Sequence, residues 1–155
     1  MQFLWMSLFA LAIVGLDQWT KALVTANIPY NGTVEAIPGL FHLTRVHNTG
    51  AAFSALQGMR WLFVVIFLLL SAAIVYEYFC KRLPFTTFDR WMIAAVYGGG
   101  LGNMIDRLRF GYVVDMIAVD FVNFAVFNVA DCFITCGCIA MIAHLLFFNK
   151  KFWKE

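Results

Sequence analysis

A chain of 155 residues that is 63% hydrophobic and 13% charged is long enough for one domain. It is too apolar for an ordinary soluble one, in which about half of the residues are apolar and about a quarter charged. A mean hydropathy of +0.80 points to an integral membrane protein, and a net charge of +2 with no basic cluster among aromatics gives no sign of nucleic-acid binding.

Residues 1–16 are apolar apart from Gln2 and Ser7 and lack the Lys/Arg-rich start of a cleavable leader. They open a first membrane helix over about residues 2–24, long enough for a hydrocarbon core of ~30 Å. Near its far end Asp17 and Lys21 stand at i and i+4, an ion pair that should face protein rather than lipid. Residues 25–60 form a polar connection broken by Pro29, Gly32, Pro38 and Gly39. Within it, Phe41, Leu43 and Arg45 alternate with His42, Thr44 and Val46 as in a short strand. Asn48 and Gly50 mark a turn, after which residues 51–53 are placed to dip back toward the membrane. His42 and His47 lack a third ligand and read as surface histidines.

The second helix spans 61–79, and its single acid, Glu77, stands at i+4 from Lys81, the spacing of a helix-end ion pair. A third runs over about 91–108 with Gly98, Gly99, Gly100 and Gly102 near its middle, where small residues let membrane helices approach closely. Residues 110–130 form a loop with a strand-like stretch at 112–116. The fourth helix covers 131–148. Cys132, Cys136 and Cys138 lie in it without a CxxC pair, so they read as buried packing thiols rather than a disulfide or zinc site. The sum is an all-α membrane protein: a four-transmembrane-helix bundle with a small extracytoplasmic β-containing loop region, one domain over residues 1–155.

An even number of spans puts both termini on one side. Lys81, Arg82, Arg90, Lys150, Lys151 and Lys154 fall on that side. Arg45, Arg60 and Arg109 fall on the other, once Lys21 and Arg107 are set aside as motif residues. The positive-inside rule then makes both termini cytoplasmic. Asp17, Asn48, Asp106, Asp115 and Asp131 therefore cluster at the extracytoplasmic face.

Residues 98–131 hold four aspartates, three asparagines and two arginines in this apolar background, and charge at such a cost is usually kept for function. Asp115 and Asp131 lie 16 residues apart and are expected to meet at one end of the bundle. Two neighbouring carboxylates cannot both ionise cheaply, so one keeps a proton while the other acts as base. Such a pair can activate water and protonate a carbonyl oxygen or leaving nitrogen. Asn48, Asn103 and Asn128 offer uncharged groups for a peptide backbone, and Arg107 a donor fork. On spacing alone, a proton-coupled transporter using paired aspartates is the alternative, although its acids belong near the bilayer midplane.

Five ordered blocks sharpen the choice: DQWTK at 17–21, NTGAAFS at 48–54, GGGLGNMIDR at 98–107, GYVVDMI at 111–117 and FNVAD at 127–131. In these the chain resembles the lipoprotein signal peptidase (signal peptidase II) family of aspartic peptidases. The resemblance implies a bacterial cytoplasmic (inner) membrane enzyme with its active site at the extracytoplasmic face. It implies Asp115 and Asp131 as catalytic dyad, with Asn48, Asn103, Arg107 and Asn128 lining the substrate site and Asp17, Lys21 and Asp106 supporting it. It implies as substrate a prolipoprotein bearing a diacylglyceryl-cysteine, cut just before that cysteine. Neither metal nor other cofactor is expected, the remaining partner is membrane lipid, and the enzyme is expected to act as a monomer.

Overall fold

A computed structural model of the chain describes residues 1–50 and 55–153. The expected dip at 51–53, Ser54 and Lys154 lie outside the described residues. Among the described residues four long helices and three strands follow in the order α1 (Gln2–Asn27), β1 (Thr33–Ile37), β2 (Phe41–Asn48), α2 (Arg60–Cys80), α3 (Thr87–Phe110), β3 (Val113–Val119) and α4 (Val129–Phe147). A 3-10 turn at Lys150–Trp153 follows α4.

Among the described residues three helices, α1, α2 and α4, are long and apolar enough to cross a membrane. The glycines and charged residues of α3 lower its hydropathy, yet α3 is the central helix, packing chiefly against α4 and α1 and less against α2. Its glycines are what permit this. A Cβ on Gly98 would fall 2.8 Å from the Ala10 carbonyl oxygen of α1, and one on Gly99 2.5 Å from that of Ala130 on α4. The apolar outer faces of the helices remain exposed, and α2 has no buried residue, as expected of surfaces that meet lipid.

Helix ends follow local chemistry. α3 starts at Thr87 rather than near 91 because Thr86 and Asp89 form a reciprocal capping box, Asp89 accepting from the Thr86 N–H at 2.8 Å. Asn128 and Asp131 do the same for α4, which starts at Val129 rather than 131. α1 continues to Asn27 rather than 24, and α2 covers one residue more at each end than expected. The Glu77–Lys81 ion pair does not form: Lys81 turns into the left-handed region at φ 47°, and the Glu77 carboxylate accepts the Leu83 N–H at 3.2 Å instead. The cysteines are not packed in a core either. Cys136 is exposed on the outer surface of α4, and Cys132 and Cys138 are half-buried.

The strands form one antiparallel sheet in the order β1-β2-β3. β1 was hidden in the sequence because all five of its side chains are exposed, so burial imposes no apolar alternation on it. The sheet rests on the end of α1, where Val24 and Ile28 pack with Met116 and the half-buried Leu43 and Ile117. After β3 the chain doubles back, and Phe127 exchanges main-chain bonds with Ile117 at 2.8 and 3.0 Å. That return delivers the start of α4 beside β3.

Candidate active site

The return at Phe127 brings Asp131, in the first turn of α4, beside Asp115, in the middle of β3. Asn128 joins them. Its amide oxygen accepts the Asp131 main-chain N–H at 2.9 Å, while its Nδ2 donates to Asp115 Oδ1 at 2.7 Å and to Asn103 Oδ1 at 3.0 Å. Asn128 is completely buried, so every polar atom of its side chain needs a partner. These three bonds use both amide protons and the oxygen.

Each aspartate is tethered further. Asn48, at the end of β2, donates from Nδ2 to Asp115 Oδ2 at 2.8 Å, and its own oxygen takes the Gly50 N–H at 2.9 Å. Asn103, on α3, donates from Nδ2 to Asp131 Oδ1 at 2.7 Å, and the second Asp131 oxygen accepts the Asn128 N–H at 3.2 Å. The three amides assigned to substrate are thus engaged with the carboxylates. Asp131 stands where the free N–H groups of a helix start favour an anion. Burial drives the Asp115 carboxyl up from 3.8 to about 6, with the nearby Asp131 charge adding to the rise and the Asn48 and Asn128 bonds and Lys21 opposing it.

Behind the pair lies a buried ionic group. Lys21 Nζ is 2.8 Å from Asp17 Oδ2, 3.0 Å from Asp106 Oδ2 and 2.9 Å from Asn103 Oδ1. Gly102 makes the room: a Cβ there would lie 2.6 Å from Asp17 Oδ2. Gln18, which the sequence did not single out, donates to Asp106 Oδ1 at 2.8 Å. Arg107 is not a free fork. One of its terminal nitrogens donates to the Gly50 carbonyl at 2.8 Å, and its guanidinium lies 4.4 Å from the Phe63 ring centre. It ties the turn after β2 to α3 while remaining within the field of Asp115, Asp131 and Asp106.

A cavity of about 270 Å³ opens onto Asp115, bordered by Asn48, Thr49, Gln57, Asn123 and Val126. A larger hollow, of about 430 Å³, lies at the other end of the sheet around Glu35, His42 and Asp120. There His42 Nδ1 pairs with Asp120 Oδ1 at 2.6 Å. His47 instead stacks on Tyr112, at 3.8 Å between ring centres, with Tyr30 tilted against it at 4.5 Å. Burial, then the charge of Arg45, holds its pKa below the usual histidine range. Among the described residues no group of three or more His, Cys, Asp or Glu is arranged to hold a metal ion.

A second polar cluster, which the sequence reading missed, occupies the opposite end of α3 and α4. Asp89, wholly buried, pairs with His144 Nδ1 at 2.7 Å and accepts from Asn149 at 3.1 Å. The Thr86-x-x-Asp89 spacing was the available signal. The His144 and Asn149 partnerships come from tertiary packing.

The comparisons with known proteins converge. Residues 9–147 match the family model described as signal peptidase (SPase) II. The chain is 43% identical over 145 residues to a lipoprotein signal peptidase of Streptococcus thermophilus, covering 94% of this chain and 90% of that one. It is 42% identical over 143 residues to the lipoprotein signal peptidase of Enterococcus faecalis, covering 92% and 88%. Two solved bacterial membrane enzymes, each 34% identical, superimpose with TM-scores of 0.85 and 0.81 over 93% and 92% of this chain and 88% and 92% of theirs.

Proposed function

The chain belongs to the signal peptidase II family, membrane peptidases that free prolipoproteins of their signal peptides, and from that premise we propose that Asp115 and Asp131 are its catalytic carboxylates. The observation that carries the reading is Asn128, whose one buried side chain binds both residues and holds them as a unit. The substrate is a prolipoprotein whose cysteine carries diacylglycerol, and the bond cut is the one just before that cysteine.

In the resting enzyme the pair shares one proton. The ionised member takes a proton from water, and the hydroxide adds to the scissile carbonyl carbon while the protonated member polarises the carbonyl oxygen. The tetrahedral adduct collapses with C–N cleavage. The leaving nitrogen collects a proton from the dyad and departs as the amino group of the lipidated cysteine. Asn48 and Asn103 keep the carboxylates aimed at this reaction, while Asp17, Lys21 and Asp106 support them from behind. Arg107 holds the Gly50 turn at the mouth of the cavity. No cofactor enters, and the unit is a monomer in lipid.

The whole chain forms one domain of four spans, with α3 crossing despite its polar residues because α1 and α4 cover them. Both termini lie in the cytoplasm, and the sheet and dyad lie at the outer face of the inner membrane. Asp115 sits on a strand outside the helices, which disfavours a proton path through the bilayer.

The deciding experiment is cleavage of a diacylglyceryl-modified preprotein in detergent. Asp115→Asn and Asp131→Asn should each lose at least about a thousandfold in turnover, and the double variant should be no worse, because the pair acts as a unit. Asp120→Asn, just beyond the end of β3, should remain within about twofold of the parent, as surface changes away from a site do. Turnover by either single dyad variant would overturn the assignment.

A further inference from the structure

Lys21 belongs to α1, which contributes neither aspartate of the dyad. It is 3% exposed, and its three ammonium protons face the three acceptors on Asp17, Asp106 and Asn103. Both of its carboxylate partners also grip the main chain. Asp17 Oδ1 accepts the N–H of Ala130 at 3.0 Å, and Asp106 Oδ2 accepts the N–H of Val114 at 3.1 Å. Ala130 directly precedes Asp131, and Val114 directly precedes Asp115.

Resting on the dyad reading above, we propose that Lys21 is a positioning residue that fixes the separation of Asp115 and Asp131, by joining the two carboxylates that hold the main chain next to each. Its third proton extends the hold to Asn103, which donates to Asp131. Without the ammonium, Asp17 and Asp106 are neighbouring buried carboxylates with no cation between them. Whether they repel or one takes up a proton, the link that sets their spacing, and that of the backbone each holds, is gone. A reacting group misplaced by about 1 Å costs on the order of a hundredfold in rate. The span that such an error must traverse is one residue on each side.

Two substitutions separate geometry from charge. Lys21→Arg keeps the positive charge, but a planar fork cannot serve three acceptors gathered around a single nitrogen. Lys21→Met with Asp106→Asn removes the link while leaving the net charge of the Asp17–Lys21–Asp106 group unchanged, and the amide oxygen introduced by Asp106→Asn can still take the Val114 N–H. With a diacylglyceryl-modified preprotein in detergent, both should lose at least about tenfold in kcat while KM stays within about threefold, since the error falls on the reacting groups. Thermal unfolding measures the folded fraction to which kcat is referred. Near-parental kcat in either variant overturns the proposal: in Lys21→Arg because charge then suffices, in the double variant because the link is then dispensable. Failure of both to fold assigns Lys21 to folding and overturns it as well. Asp115→Asn runs alongside. If it is inactive, the dyad stands whatever Lys21 does; if it turns over, the dyad reading itself falls.

Discussion

Asn128 donates a 2.7 Å hydrogen bond to Asp115 across 13 residues of sequence, from a side chain that also caps the helix carrying Asp131. Cap and carboxylate contact can be separated. Asn128→Ser keeps an oxygen for the Asp131 N–H but has no amide to offer Asp115. Its stability should drop by about 1–3 kcal/mol, the cost of leaving the buried Asp115 and Asn103 oxygens without that donor, while Asn128→Ala, losing the cap too, should drop by a further ~1 kcal/mol. Turnover should fall about tenfold or more in both, because both lose a fixed donor. Thermal unfolding set beside cleavage rates checks the split.

The pH dependence follows from Asp115. Its native pKa, raised from 3.8 to about 6 chiefly by burial, means that the folded state holds this proton more tightly than the unfolded chain does. The contribution to stability is therefore full below about pH 4 and declines as pH rises to about 6, by roughly 3 kcal/mol in all. Asp115→Asn should lack this part of the decline when unfolding is followed across that window. In the cleavage assay, kcat/KM should fall on the alkaline side as the pair gives up its shared proton. Asn48→Ala removes a bond that favours the ionised form of Asp115, so this limb should move to higher pH.

The glycines of the helices separate into those that can accept a methyl group and those that cannot. Gly102→Ala drives a Cβ to within 2.6 Å of Asp17 Oδ2, and Gly99→Ala to within 2.5 Å of the Ala130 oxygen. Each should cost about 1–3 kcal/mol through overpacking, and Gly102→Ala should lower turnover as well. Gly15→Ala on α1, with nothing within 4 Å, should be neutral or stabilising by up to ~1 kcal/mol. Thermal unfolding of the three variants ranks them.

Topology has its own test. Reporter domains fused at Phe85 and after Glu155 should register the cytoplasm, and one near Gly32 the exterior, as the Lys/Arg distribution demands. An exterior signal from Glu155 would refute a four-span arrangement.

Much of this was legible in the sequence because a membrane protein can hide so little. In an apolar chain each charge is conspicuous, so Asp17, Lys21, Asp106, Asp115 and Asp131 stood out, and the structure brings all five to one end of the bundle. What stayed hidden depends on tertiary partners. Nothing in FNVAD announces that Asn128 bonds to Asp115, or in DQWTK that Gln18 reaches Asp106. Arg107 looked free because a free fork and one engaged with Gly50 read alike in sequence. β1 and the Glu77 contact went unseen because an exposed strand needs no apolar alternation, and because a left-handed turn at Lys81 redirects its side chain.

The helices are not equally bound to one another. Asp17, Lys21 and Asp106 cross-link α1 to α3 at one end, and Asp89 with His144 fastens α3 to α4 at the other. Against α3, helix α2 sets rings and aliphatic side chains, with Phe67 stacked on Tyr97 and Phe63 beneath Arg107. Phe3 and Tyr78 bring it against α1. Among the described residues no hydrogen bond joins α2 to another helix. A sideways load on the bundle would therefore be shared unevenly: α2 peels off at the expense of packing alone, whereas the other three part only by stranding charges in oil.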